Sequence, residues 1–226
     1  MSAEPPSTES AGADNAGQPA TLAALIEQKG VTLPLETERL SLSLLAESDA
    51  AELWDYWRLP QTSEWTASRP VSAEALISDR LQAGSTLAIR RRDGDNDGFR
   101  PDGSADRAQI IGDVTVTIQD AWSHPEVAHL ARGTQAELGC AFHPDATGHG
   151  FALEAVIAVL DLIVDLGIRR VEAFCMADNT ASWRLLDRLG LRREGTYIGE
   201  TLHRDHGWVD AYSYAILASE WQAKRS

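Results

Sequence analysis

The chain is short of basic residues: its 226 residues carry 20 Lys and Arg against 34 Asp and Glu, a net charge of −14. An acidic protein repels a phosphate backbone, which argues against nucleic acid as a direct partner. The same charge would steer a cationic substrate such as an amine, although solubility alone also accounts for it. Cysteine is scarce, with Cys140 and Cys175 the whole complement. Both fall in expected strands and read as small buried hydrophobes, since a disulfide needs neighbouring strands and a non-reducing compartment. No run of about 18 apolar residues occurs, so no membrane span is expected. Residues 1–19 hold acids and prolines but no apolar signal core, and cytoplasmic residence is the expectation. The six histidines lack metal-ligand spacing; His203 and His206 are three apart with no further ligand to join them, so no metal is expected. Two nucleotide motifs are missing as well. There is no Gly-Lys-Ser/Thr, and the pair Gly148 and Gly150 is followed by Leu153 where a dinucleotide fingerprint needs a third glycine.

What is present centres on Glu137 to Glu154. Ala136, Leu138, Cys140 and Phe142 alternate with Glu137, Gly139 and Ala141, a strand period that Pro144 and Asp145 stop. From Phe151 to Leu166 the chain is apolar almost all round; only Glu154, Asp161 and Asp165 interrupt it, on one narrow helical face. That pattern is a helix buried against a sheet. Between strand and helix lies Thr147-Gly148-His149-Gly150. Glycines at a helix start admit a ligand close to the backbone, and the free amides and positive dipole end there attract phosphate. The alternative is a tight turn that serves helix–sheet packing alone.

Around this centre the remaining elements read in order. Residues 1–20, rich in Ala, Gly, Pro, Ser and Glu, are expected to be a disordered tail, and 21–29 a short helix. Glu38–Leu44 alternates as a first strand. Ser48 or Asp49 caps a helix that carries Leu53, Trp54 and Trp57 and ends at Pro60; Ser72 caps another, closed by Gly84. Trp54, Trp57 and Trp65 read as packing aromatics or as walls of a substrate cleft. Thr86–Arg91 and Ile110–Ile118 are strands flanking a mobile insertion over 92–107, and 121–133 is a further connection. Arg170–Met176 is a strand parallel to the central one, because a helix joins them. Asp178-Asn179 opens a helix that Gly190 ends, and Arg192–His203 with His206–Ile216 form a closing hairpin. The order β α α β β β α β α β β is a mixed α/β fold with one parallel pair.

Four segments carry a family resemblance: Thr37-Glu38-Arg39-Leu40 with Asp49-Ala50; Ala136–Gly139 followed by Gly148–Ala155; Asn179–Leu186 with Leu189-Gly190-Leu191 and Glu194-Gly195; and Trp208-Val209-Asp210 with Tyr214, Leu217, Glu220 and Trp221. In that order the sequence resembles the GNAT superfamily of acetyl-CoA-dependent N-acetyltransferases, and more narrowly its RimJ/RimL-type branch, over residues 35–222 as one domain. The resemblance implies a mostly antiparallel central sheet with one parallel strand pair splayed around the cofactor and helices on both faces. It implies coenzyme A as the phosphate carrier, with its pyrophosphate on the amides of Gly148, His149, Gly150, Phe151 and Ala152. Its pantetheine arm would run along Cys140, Ala141, Phe142 and His143, near Asn179 and Ser182. The family's loop usually opens with Gln or Arg where this chain has Thr147; the backbone cradle does not need that side chain.

Acetyl transfer to an amine requires that the amine lose a proton, that the tetrahedral oxyanion be stabilised, and that the thiolate leave. Glu137 is the first choice of base, expected half-buried beside small Gly139 and Ala141 with a raised pKa; the alternative is a structural carboxylate paired to an arginine. Asp210 and His203 are the runner-up bases. A backbone N–H near Phe142 is the oxyanion donor. The tyrosine that many superfamily members use as the acid is replaced here by Leu186, leaving Ser182 as acid or as a mere cofactor contact. Two functions stay open: an N-acetyltransferase acting on a protein N-terminus or a small amine, and an inactive coenzyme A-binding regulatory protein of the same fold. Transfer of a longer acyl group would need a wider cleft beside Gly139.

Overall fold

The computed structural model describes residues 20–92 and 109–225. The expected tail over 1–20 and insertion over 92–107 lie outside those residues, apart from 20 and 92. Alternating segments become β2 (Leu40–Leu44), β3 (Thr86–Arg91), β4 (Ile110–Gln119), β5 (Gln135–Phe142), β6 (Arg170–Met176), β7 (Arg192–His203) and β8 (Gly207–Leu217), with a short β1 (Leu35–Glu36) at the start. They form one eight-stranded sheet in the order β1-β2-β3-β4-β5-β6-β8-β7. Every neighbouring pair is antiparallel except β5 with β6.

Each face has its own core. On one side α6 (Phe151–Asp165) and α7 (Thr180–Leu189) pack on the sheet, burying Phe151, Val156, Val159, Leu160 and Ile163 with Leu186, Leu189 and Tyr214. α1 (Leu22–Lys29), capped by the Thr21 hydroxyl, adds Leu22 and Ile26 to the same cluster. On the other side α2 (Ala50–Trp57) and α4 (Ala73–Ala83) enclose Leu53, Tyr56, Trp57, Leu76 and Ile77 against Ala88, Ile110 and Ala141. Ser72 accepts from Ala75 N at 3.2 Å, so the expected cap of α4 is in place.

Other expectations are corrected. Asp49 does not cap α2; its carboxylate accepts from Ala46 N at 2.9 Å and from Arg90 Nη2 at 2.5 Å, tying the preceding turn to β3. Pro60 does more than end a helix. Its fixed φ suits a first helical position, and it opens α3 (Pro60–Ser63). The connection 121–133 contains the single turn α5 (Ala128–Ala131), and a final helix α8 (Ala218–Arg225) follows β8 with Trp221 buried. That helix was hidden in the sequence by its mostly polar face.

A chain of ion pairs ties β6, β7 and α8 together. Arg170 Nη2 meets Glu194 Oε2 at 2.6 Å, Arg192 Nη2 meets Glu194 Oε1 at 2.6 Å, and Arg192 Nη1 meets Glu220 Oε1 at 2.5 Å. The Arg170 and Arg192 guanidinium groups hold the Glu194 carboxyl down to about 2. An unfolded glutamate titrates near 4.3. A depressed folded pKa gives stability that is present above the unfolded value and lost as pH falls through the folded one. Urea midpoints should therefore decline between about pH 4.5 and about 2, with the slope reduced in Glu194→Gln; since Glu194 is partly exposed, high salt should also reduce it. An unchanged slope in the variant would remove Glu194 from the acid response.

Candidate functional site

The parallel pair is only briefly a pair. Gln135, Ala136 and Glu137 lie in register with Arg170, Val171 and Glu172, and there the pairing stops. β5 stays paired to β4 as far as Phe142 opposite Gly112, and β6 stays paired to β8 as far as Met176 opposite Ala211. Each strand follows its other neighbour, so a wedge opens between them, and the facing edges keep backbone groups able to bond a third chain-like partner. Ala136 and Leu138 point into the α6 core, while Glu137 and Gly139 face the other side and are exposed. A Cβ added at Gly139 would meet nothing within 4 Å. Glu137 is thus exposed rather than half-buried, because neither α2 nor α4 extends over this end of the sheet. Its partner is the Gln119 amide, 3.1 Å away, rather than an arginine.

Above the wedge the chain turns into α6. Gly148 and Gly150 take φ +88° and +81°, values that side chains rarely adopt, and a Cβ at Gly148 would stand in open space. The first amides of α6, among them those of Ala152 and Leu153, have no intrahelical acceptor. Phe151 is fully buried, anchoring the turn; the His149 ring stacks on it at 5.7 Å, and Arg39 lies 4.6 Å over its centroid. Thr147 is exposed, and its amide donates to Pro144 O at 3.0 Å, so only its side chain can face a ligand. His143 turns its Nδ1 to accept from Asp145 N at 3.1 Å, making it the cap of the strand exit. The pair of open, positive-φ glycines at a helix N-terminus suits a phosphate-bearing group.

On the far side of the wedge, Asn179 caps α7 by accepting from Ser182 N at 3.2 Å, and Ser182 is half-buried in the first turn. Leu186 is buried in the core. Both cysteines are free although their strands are neighbours. Burial, helped by the Asp113 carboxylate, pushes the Cys140 thiol up to about 12, and burial pushes Cys175 up to about 11. Neither is a thiolate at neutral pH. No group of three or more His, Cys, Asp or Glu among the described residues is placed to hold a metal ion, and no helix there is long and apolar enough to cross a membrane.

The α2–α4 side holds features that sequence reading missed. Asp113, 1% exposed, accepts from Tyr56 Oη at 2.6 Å and Trp57 Nε1 at 2.7 Å, with Arg80 Nη1 3.4 Å away. Burial raises its carboxyl, against the pull of Arg80, Tyr56 and Trp57. Trp57 is therefore a packing aromatic that also donates. An aspartate at an inward strand position, between Gly112 and Val114, was the available clue. Gly112 has a second purpose: its Cβ would come within 2.5 Å of the Phe142 ring, which lies across it.

The runner-up bases are both engaged. His203 Nδ1 accepts from the amides of Asp205 and His206, each at 3.1 Å, so the ring proton sits on Nε2 and is donated to Glu64 O at 2.8 Å. His203 stacks on His206 at 4.3 Å and packs on Trp65 at 5.0 Å, while Arg204 donates to the carbonyls of Ser63 and Thr66. This clasp joins the β7–β8 hairpin end to the segment after α3 and leaves His203 no nitrogen for a substrate proton. Asp210 accepts from Gly199 N at 2.8 Å and closes a bulge in β7.

Comparison with known proteins agrees with this geometry. The profile of the "Acetyltransferase (GNAT) domain" matches residues 39–192. An uncharacterized N-acetyltransferase, YnaD of Bacillus subtilis, is 35% identical over 86 residues, 38% of this chain and 50% of its own length; the chain thus spans half of that relative. An uncharacterized N-acetyltransferase, p20 of Bacillus licheniformis, is 27% identical over 193 residues, 83% of this chain and 97% of the relative. Among solved structures, Mycobacterium smegmatis RimJ in complex with CoA-disulfide superposes with a TM-score of 0.57 at 23% identity, over 80% of this chain and 83% of that one.

Proposed function

The chain belongs to the GNAT acetyltransferase family, and from that premise we propose that it transfers an acetyl group from acetyl-CoA directly to a primary amine. The observation that carries the reading is the wedge between β5 and β6 beneath a glycine-rich helix start. Gly148 to Ala152 would receive the pyrophosphate. The open edge of β5 from Cys140 to His143 would pair with the amide groups of the pantetheine arm, and Asn179 and Ser182 would flank it from α7. The thioester then sits at the wedge, between the cofactor face and the exposed Glu137–Gly139 face where an amine arrives.

Within that arrangement the residues divide the work. Glu137 takes the proton from the bound ammonium, and the neutral amine then attacks the thioester carbonyl. A backbone N–H near Phe142, held by the ring packed over Gly112, meets the oxyanion. Ser182 donates toward the departing sulfur, a modest aid because a thiolate leaves readily. The half-buried Cys140 thiol stays protonated and does not compete as a nucleophile. The acceptor we propose is a primary amine, carried on a peptide N-terminus or on a small molecule.

Thermal unfolding tests the cofactor first. A ligand that binds only the folded state adds about 2.7 kcal/mol at a hundredfold excess over its dissociation constant. CoA and acetyl-CoA should raise Tm by several degrees. Gly150→Val should abolish the shift, since its φ of +81° excludes a branched side chain and an added Cβ would meet Arg39 Nη2 at 3.5 Å. Amines are then screened for release of free thiol. No shift in the wild-type protein at millimolar ligand would defeat the proposal.

A further inference from the structure

The cofactor loop is held from behind by a residue on a different element. Arg39 lies immediately before β2, far from the loop in sequence. Its Nη1 donates to His149 O at 3.0 Å, its Nε to Glu154 Oε2 at 2.7 Å, and its Nη2 meets the same carboxylate oxygen at 2.7 Å. The other Glu154 oxygen accepts from Arg39 N at 2.8 Å and Thr37 Oγ1 at 2.5 Å. Burial alone would raise the Glu154 carboxyl, but these bonds from Thr37 and Arg39 outweigh it and hold it low. The pair is well covered, with side-chain exposures of 29% for Arg39 and 17% for Glu154.

Two consequences follow for an anion at this loop. The only cis peptide among the described residues is Leu33–Pro34, so the His149–Gly150 bond is trans and planar. In such a unit the C=O and the next N–H point opposite ways. Arg39 draws the His149 carbonyl toward itself and thereby turns the Gly150 amide outward, away from β2. The side that Arg39 occupies opens on a groove of about 500 Å³ whose lining carries Glu36, Glu38, Glu154 and Asp161 against Arg39 and Arg225, an excess of acid that disfavours phosphate there. The Gly150 amide, turned the other way, is left to an anion that approaches from the opposite side. Second, Glu154 sits in the first turn of α6, where an uncompensated carboxylate would repel a phosphate at the same helix end. Arg39 neutralises it.

We propose that Arg39 is a positioning residue for the pyrophosphate of acetyl-CoA: it orients the Gly150 amide through the His149 carbonyl and cancels the Glu154 charge, without touching the cofactor. The proposal rests on the acetyl-CoA reading above.

The test is calorimetric titration of CoA into the wild-type chain, Arg39→Gln, Arg39→Lys and the double variant Arg39→Gln with Glu154→Gln, with pantetheine, which lacks phosphate, titrated in parallel by NMR. Loss of a charge-assisted bond predicts that Arg39→Gln weakens CoA at least about tenfold, while pantetheine affinity stays within about twofold. Arg39→Lys keeps the charge but lacks the fork that reaches both acceptors, so it should recover only part of the affinity. The double variant should stay weak, because removing the Glu154 charge does not restore the carbonyl's anchor. Full recovery in the double variant would overturn the orientation argument. CoA affinity unchanged in Arg39→Gln, or equal loss for CoA and pantetheine, would overturn the proposal while leaving the acetyl-CoA reading intact. A wild-type chain that binds no CoA would overturn both.

Discussion

Asp113→Ala should destabilise the protein by about 3–5 kcal/mol, the cost of breaking a buried, hydrogen-bonded ion pair by removing one partner. Three elements converge on this carboxylate. Tyr56 and Trp57 reach it from α2 and Arg80 from α4, all within 3.4 Å. Removing it strands a phenol hydroxyl and an indole N–H beside the apolar cluster and leaves the Arg80 guanidinium with the Thr115 hydroxyl, 3.3 Å away, in place of a carboxylate. Arg80 is already at its limit: its Nε is buried without a partner, and its plane rests 4.3 Å over the Trp57 ring. Burial also holds the Tyr56 phenol well above its ordinary pKa, so it remains a donor over the whole working range.

Asp113→Asn is the informative companion. Its amide oxygen can still accept from Tyr56 and Trp57, but its NH2 then faces the Arg80 guanidinium, donor against donor. The loss should fall well below that of Ala. Adding Arg80→Met to Asp113→Asn should recover part of it, a coupling that a double-mutant cycle in urea measures. A loss of less than about 1 kcal/mol for Asp113→Ala would mean that water replaces the carboxylate and that the network is not what fastens α2 and α4 to β4. The effect should reach function too, since Asp113 is the cross-strand partner of Ala141 on the wall of the wedge.

Local chemistry made much of this fold legible. Alternation in Ala136–Phe142, the apolar run from Phe151, and the caps Ser72, Gly84 and Gly190 each determine their own element within a residue or two. The β5–β6 parallel pair followed from a helix between two apolar strands. What escaped was whatever depends on distant partners. Whether Glu137 is covered depends on where α2 and α4 end, which no window around residue 137 encodes. His203 looked like a base because histidine is a common one; its two accepted amides and its bond to Glu64 O come from the turn of its own hairpin and from a segment 139 residues away. Arg39 lay inside a recognised stretch, yet its role appears only when the fold brings it to a loop 110 residues on. α8 was missed because a helix that buries one tryptophan carries almost no periodic signal.

Glu137→Gln should lower kcat for amine acetylation by about 10²- to 10⁴-fold at neutral pH, the usual contribution of a positioned general base, with CoA affinity unchanged. The side chain sits on the last residue before the wedge opens, on the exposed face, with open space at Gly139 two residues on. Its exposure in the free chain does not disqualify it. An acceptor seated over Gly139 would itself cover the carboxylate, strengthen its attraction for the ammonium and exclude bulk water. Gln119 already donates to one oxygen at 3.1 Å, leaving the other to receive the proton. Glutamine keeps the shape and the Gln119 contact but cannot take a proton. The variant must then rely on amine that is already neutral, so its rate should climb about tenfold per pH unit toward the acceptor's own pKa, whereas the wild-type rate should level off earlier. That difference in pH profile separates a lost base from a merely disturbed strand, which would lower both curves in parallel. If the two profiles coincide, Glu137 is only a surface carboxylate. The proton must then leave through solvent or to the second oxygen of Asp210, because His203 is locked in its clasp.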